Sequence, residues 1–381
     1  MQKFLIFLLL LFNISILSQQ TAEIRFRVIS KNLPNSTNIF ISGNDEKLGS
    51  WNSGLIPLEQ TSDSTWERLF KFKVGSVLEF KFTKGSWKTE ALDEYGNIPQ
   101  NHALDVENDT TLSFFISEWN NGQTETDFSG QITGKVNYLK KVEFEGLEPR
   151  DVIVWMPPGY EENNEKHYPV LYMHDGQNLF DPETAFMEID WQMDEAADSL
   201  ISNKIIEPLL IVGVYNTLNR SDEYSPSFTG ELYMKFIVDK LKPMIDSIYR
   251  TKRGRNFTAV GGSSMGGLIS FMLAWNYPNI FSKAACFSPA FMYHNFDYTT
   301  VVKNSTQNKN SIKFYIDNGG VGLEKTLRPG IELMVSELKN KGYKLNEDLF
   351  VVIDSYAQHN EEAWAKRVPN MLKLFFGIKN K

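Results

Sequence analysis

The chain has 381 residues and a formal charge of −8, from 39 Lys and Arg against 47 Asp and Glu. Its length allows about two to three domains, and 42% apolar with 23% charged residues is an ordinary globular balance with a sizeable core. The acidity and the lack of any Lys/Arg cluster exclude a nucleic-acid binder, and the lone Cys286 excludes an internal disulfide or a cysteine-held metal cluster.

Residues 1–18 read as an export signal. Lys3 gives the positive start, Phe4–Phe12 the apolar run, and Ser18 the small residue at the expected cut. The run is too short to span a bilayer comfortably, so no integral membrane segment is expected and the predicted location is secreted or periplasmic. Residues 19–120 follow as short apolar runs at regular spacing: Glu23–Val28, Ile39–Ser42, Leu69–Phe72, Val77–Phe82 and Thr111–Ile116. With no helical stretch among them, they predict a small all-β sandwich. Residues 121–135 are polar and rich in Gly, Thr and Ser, and predict a linker.

From 136 to 381 the pattern changes. Strands are predicted at Asp151–Met156, Tyr168–Met173, Pro208–Val214, Phe257–Gly261, Ala284–Phe287, Lys313–Ile316 and Leu349–Ile353. Helices are predicted at Trp191–Ile206, Leu232–Tyr249, Met265–Trp275, Ile331–Asn340 and Glu362–Phe376. Strands alternating with helices predict an α/β fold around a mostly parallel sheet.

Gly262-Ser263-Ser264-Met265-Gly266 lies between a predicted strand and a predicted helix. Small residues either side of a central serine permit a sharp turn that lifts its hydroxyl above the sheet, so Ser264 is the candidate nucleophile. Its base must follow it in sequence. His294 precedes any acid-bearing strand and sits among aromatics, which suits a substrate-side or packing role. His359 follows the last strand in the loop Ser355–Asn360 and is the candidate base. The acid belongs on the loop after the preceding strand, where it holds the imidazole tautomer. Glu324, expected within the glycine-rich loop, is favoured, with Asp317 at the strand end as the alternative. The Met265 amide and, from the loop after Tyr168–Met173, the Gln177 amide are the expected oxyanion-hole donors. No metal or other cofactor is expected: His174 and Asp175 have no second histidine or clustered carboxylates beside them in sequence.

These residues resemble the putative-esterase branch of the α/β-hydrolases, which includes enterochelin-type, feruloyl and acetyl-xylan esterases and trehalose mycolyltransferases. The pieces that carry the resemblance are Met156–Tyr160, His174–Phe180, Trp191-x-x-Asp194-Glu195, Arg220-x-x-Glu223-Tyr224-x-Pro226, Gly262–Gly267 and His359-Asn-Glu-x-x-Trp364. It implies Ser264, Glu324 and His359 as a triad, with the Gln177 and Met265 amides as the hole. The first domain resembles a starch-binding module through Phe40–Asn44, Leu48–Trp51, Leu78–Thr83, Gly85–Trp87 and Asn101, although His102 replaces the arginine that usually follows that asparagine. This second resemblance implies that Trp51 and Trp87 stack on sugar rings and that Lys81 bonds their hydroxyls.

The expectation is a secreted serine carboxylic-ester hydrolase whose partner is a carbohydrate or carbohydrate ester. One alternative is an esterase of a siderophore-type or other small-molecule ester, with the first domain as a spacer. Another is a non-catalytic glycan-binding protein, which the intact Ser–acid–His order opposes.

Overall fold

A computed structural model describes residues 20–31, 33–34, 37–93, 99, 101–120, 132–293, 296–306 and 309–378. The export signal, residues 121–131 of the expected 121–135 linker and His294 therefore lie outside the described residues. The chain forms two compact units, Met1–Thr126 and Asp127–Lys381.

The first unit has two four-stranded sheets. Thr21–Ile29 pairs antiparallel with Thr65–Lys73 and parallel with Thr110–Phe115, and its alternate residues Ile24, Phe26 and Val28 face inward. The second sheet contributes Ile41, Leu78, Phe80 and Phe82 to the same core. This is the predicted sandwich, with period-two side chains closing one apolar layer. Trp66 belongs to that core, and its indole N–H donates to the Thr37 carbonyl at 3.2 Å.

The second unit is built on eight strands: β1 (Lys135–Phe144), β2 (Leu147–Met156), β3 (Val170–His174), β4 (Leu210–Val214), β5 (Thr258–Ser263), β6 (Lys283–Phe287), β7 (Lys313–Asn318) and β8 (Leu349–Ile353). Their spatial order is β1-β2-β4-β3-β5-β6-β7-β8. From β4 through β8 every pair is parallel, whereas β2 runs antiparallel to both neighbours. Helices cover both faces. Val170, Tyr172 and Val260 pack into one apolar layer with helix Met265–Asn276, while Leu171, Met173 and Ala259 pack into the other with Trp191 and Leu372. Burial on both faces explains why these strands read as continuous apolar runs. The result is the expected α/β-hydrolase architecture, with the connections at the C-terminal ends of the parallel strands free to carry chemistry.

Three helices and one strand depart from expectation. The helix expected at Ile331–Asn340 starts at Leu323, so Glu324 lies in its first turn rather than mid-loop. Pro329 and Gly330 lie inside this helix, where Leu327, Ile331, Met334 and Leu338 make one continuous buried stripe. The helix expected over Leu232–Tyr249 runs from Phe228 to Ile248 with a π-helical segment at Phe236–Leu241, just before Pro243, whose missing N–H breaks the regular ladder. The last expected helix is two, Glu361–Ala365 and Val368–Phe376, with Pro369 in the first turn of the second. β1 was not predicted, because as an exposed edge strand carrying Lys140 and Lys141 it shows no apolar alternation.

Candidate active site

The turn from β5 into helix Met265–Asn276 places Ser264 at φ +56°, ψ −120°, a conformation that non-glycine residues rarely adopt. Its backbone is held on both sides. The Ser264 N–H donates to the Phe287 carbonyl at 2.9 Å, and its own carbonyl accepts from Ala290 N–H at 3.1 Å. A Cβ on Gly262 would sit 2.8 Å from the Gly266 carbonyl oxygen, so the glycine is required by the tight crossing of strand and helix. Ser263 is buried, whereas Ser264 is partly open. The Met265 amide lies in the first turn of the helix, where N–H groups lack intrahelical acceptors.

His359 sits in the connection after β8, and its Nδ1 lies 3.0 Å from Glu324 Oε1. The ring packs edge-on against Trp364. Glu324 is fully buried, and Gly319 N–H donates to its Oε2 at 2.7 Å, with a further close bond from Asn318 Nδ2. Burial pushes the carboxyl up, but its hydrogen bond and charge interaction with His359, together with bonds from Ser288 and Gly319, outweigh that and hold it below its ordinary value. An ionised Glu324 requires the proton on Nδ1, which leaves Nε2 as an acceptor. Among the described residues no hydrogen bond joins Ser264 Oγ to His359. Unliganded sites commonly show this slack before substrate closes them.

Asp317 is placed elsewhere. It ends β7 fully buried, its Oδ1 accepts from Ser288 N–H at 2.8 Å, its Oδ2 accepts from Tyr315 OH at 3.1 Å, and Arg367 Nε lies 3.0 Å away. Burial pushes it up to about 7 against the pull of Arg367. The sequence did not reveal Ser288, which links these groups. Its φ is +42°, and its Oγ accepts from Trp364 Nε1 at 3.1 Å and Arg367 Nη2 at 3.2 Å.

Gln177 is the middle residue of a short 3-10 turn, Gly176–Asn178, directly after β3. A Cβ on Gly176 would fall 2.3 Å from the Gly213 carbonyl carbon, so only glycine lets this turn lie against β4. The preceding Asp175 is buried and receives Arg220 Nε and Nη2 at 2.7 and 2.8 Å and Asn216 Nδ2 at 2.7 Å. His174 is buried, with Nδ1 2.8 Å from Tyr233 OH, and burial pushes it down to about 3, so it stays neutral. One carboxylate group whose oxygens lie close enough to share a cation is present among the described residues: Asp190, Asp194 and Glu195. Its Asp194 Oδ2 already accepts Thr133 N–H and its Asp190 Oδ2 accepts Gln192 N–H, and burial pushes Asp194 up to about 9.

In the first unit Trp51 and Trp87 are brought together, with ring centroids 6.4 Å apart and planes inclined at 42°. Trp51 is partly exposed and Trp87 is 9% exposed. Lys81 departs from its expected role. Its Nζ pairs with Glu90 at 2.9 Å, and the two side chains are only 6% and 3% exposed. The period-two pattern of its strand could not show this pairing. Asn101 is exposed and donates to Glu79 at 3.1 Å.

Comparison with known proteins bears on the family and the fold. A family described as "Putative esterase" matches residues 147–375, and one described as "Starch binding domain" matches residues 21–113. The chain is 24% identical over 247 residues to the uncharacterized protein YbbA of Bacillus subtilis, covering 60% of this chain and 93% of that one. It is 25% identical over 227 residues to an endo-1,4-beta-xylanase/feruloyl esterase of Xylanibacter ruminicola, covering 58% of this chain and 29% of the relative. Among solved structures, a ferulic acid esterase aligns with TM-score 0.53 at 19% identity, over 65% of this chain and 98% of its own. The enterobactin esterase FES from Shigella flexneri aligns with TM-score 0.53 at 13% identity, over 94% of each chain. At these identities the solved structures speak for the fold.

Proposed function

The chain belongs to the putative esterase family and is a carboxylic-ester hydrolase; from that premise we propose a secreted serine esterase that cleaves an ester borne by a sugar or polysaccharide. The observation that carries the mechanism is the Glu324–His359 pair at 3.0 Å, in a fold whose strained elbow presents Ser264. Ser264 Oγ attacks the ester carbonyl while His359 Nε2 takes its proton, and Glu324 stabilises the imidazolium without itself being protonated. The Met265 and Gln177 amides receive the charge that develops on the carbonyl oxygen. The alcohol departs with the proton from His359, leaving an acyl-enzyme. Water, deprotonated by the same imidazole, then attacks the acyl carbon, releasing the acid and restoring the Ser264 hydroxyl.

Support for a sugar-borne alcohol comes from the starch-binding match of the first unit and from the xylanase/feruloyl esterase relative. A second reading, a siderophore-type ester, is favoured by the alignment with the enterobactin esterase over 94% of the chain. A panel of acetylated and feruloylated sugars, p-nitrophenyl esters and cyclic aryl-amide triesters, assayed on wild type and Ser264→Ala, separates the two. The proposal expects sugar esters to show the highest kcat/KM. Preference for the cyclic triester, with no gain from a sugar alcohol, would transfer the function to the second reading.

A further inference from the structure

Two of the chain's recognisable segments, His174–Phe180 and Arg220–Pro226, meet at a single buried carboxylate. We propose that Arg220 is a positioning residue for the oxyanion hole: with Asn216 it clamps Asp175 and so fixes the turn that carries the Gln177 amide. The inference rests on the serine-esterase reading above and deepens it.

Asp175 takes the left-handed conformation, φ +57° and ψ +47°, which an aspartate tolerates but does not prefer. Something must hold it there. Arg220 offers its fork to both carboxylate oxygens, and Asn216 adds a third donor to Oδ1. The Asp175 N–H donates to Tyr224 OH at 3.3 Å, and its carbonyl accepts from Asn178 N–H at 2.9 Å. Gln177 is tied from the same direction, because its Oε1 accepts Asn216 N–H at 3.2 Å. The connection after β4 thus grips the turn after β3 on both sides of the proposed donor.

The clamp also sets the turn against the nucleophile. A Cβ on Gly266 would lie 3.2 Å from Asp175 Oδ2, so the carboxylate seats directly on the glycine two residues after Ser264. Arg220 is steadied by the Tyr224 ring, 5.0 Å from its guanidinium carbon, and its side chain is 29% exposed. An oxyanion donor works only at close range to where the charge develops, and losing one costs on the order of 10²–10³-fold in kcat. Misplacement by about 1 Å costs on the order of 10²-fold. Because the clamp acts on a group used in the transition state, its loss should appear in kcat and leave ground-state binding alone.

The test measures kcat and KM for p-nitrophenyl acetate, and Ki for phenylboronic acid, whose tetrahedral adduct places an oxygen in the hole. Wild type, Arg220→Ala, Arg220→Lys, Asn216→Ala and Ser264→Ala are compared, each checked for thermal unfolding. Expected for Arg220→Ala is a loss of roughly 10²-fold in kcat with a matching weakening of the boronate and little change in KM. Arg220→Lys keeps the charge but not the fork and should fall between. If Arg220→Ala does not fold, Arg220→Lys and Asn216→Ala carry the same comparison. Folded variants with wild-type kcat and boronate affinity, or with the loss confined to KM, would overturn the clamp. Retained activity in Ser264→Ala would instead sink the serine reading itself, so the two failures are told apart.

Discussion

Replacing Glu324 by Gln tests the acid of the triad. Glu324 Oε1 faces His359 Nδ1, and Oε2 accepts from Gly319 N–H and Asn318 Nδ2. An amide cannot fill both roles. If its NH2 faces His359, the imidazole must accept at Nδ1 and carry its proton on Nε2, where it cannot take one from Ser264. If its NH2 faces Gly319, two buried donors confront each other, at a cost of about 1–3 kcal/mol. The same carboxylate-to-amide change in a Ser-His-Asp protease lowers kcat about 10⁴-fold, and that sets the scale. Asp317→Asn is the control. Its carboxylate touches Arg367, Ser288 and Tyr315 rather than His359. Breaking a buried ion pair costs up to about 3–5 kcal/mol, and because burial pushes the Asp317 carboxyl up to about 7, part of it is already neutral at neutral pH and the loss should be smaller. It should appear as lower thermal stability, with kcat per folded molecule within about tenfold of wild type. Initial rates on p-nitrophenyl acetate, corrected for folded fraction by circular dichroism, decide the matter. Greater damage to kcat from Asp317→Asn than from Glu324→Gln would refute the assignment.

Two further outcomes follow from the geometry. Burial pushes Glu361 up to about 8 and Asp317 to about 7, with Asp190 at about 6, so the folded state holds protons that the unfolded chain has released. The stability these groups contribute is fully present below about pH 4 and is lost as pH rises through their folded values; the melting temperature should therefore fall from pH 5 to 9, and Glu361→Gln should flatten that slope. In the first unit, Lys81→Ala strands a buried Glu90 and should destabilise the sandwich by up to about 3–5 kcal/mol in chemical unfolding, whereas Trp51→Ala should leave it folded and abolish any α-glucan binding, for which a stacking site predicts a Kd around 10⁻⁵–10⁻³ M. Affinity electrophoresis in starch gels checks the second half, and equal migration with and without glucan would leave the sandwich as a spacer.

The elbow was legible because its signal is local: an apolar strand, small residues around Ser264, and an apolar helix occupy one continuous stretch. The structure puts Glu324 rather than Asp317 beside His359, for a reason the sequence did not contain. Glu324 is held at a helix start, Gly322 being the residue before Leu323, while Asp317 is taken by Arg367 from the far end of the chain. Long-range pairings of this kind leave no periodic trace. The Asp175–Arg220 clamp and the Ser288 junction were invisible for the same reason, and so was the Glu90 carboxylate that occupies Lys81.

The proposed mechanism stands on a covalent intermediate at Ser264. Treating the protein with a fluorophosphonate and locating the adduct by peptide mass spectrometry tests it most directly. One adduct is expected, on Ser264, absent from Ser264→Ala, together with a loss of ester hydrolysis in that variant on the order of 10³-fold or more. An adduct on another residue, or Ser264→Ala retaining hydrolysis, would contradict it.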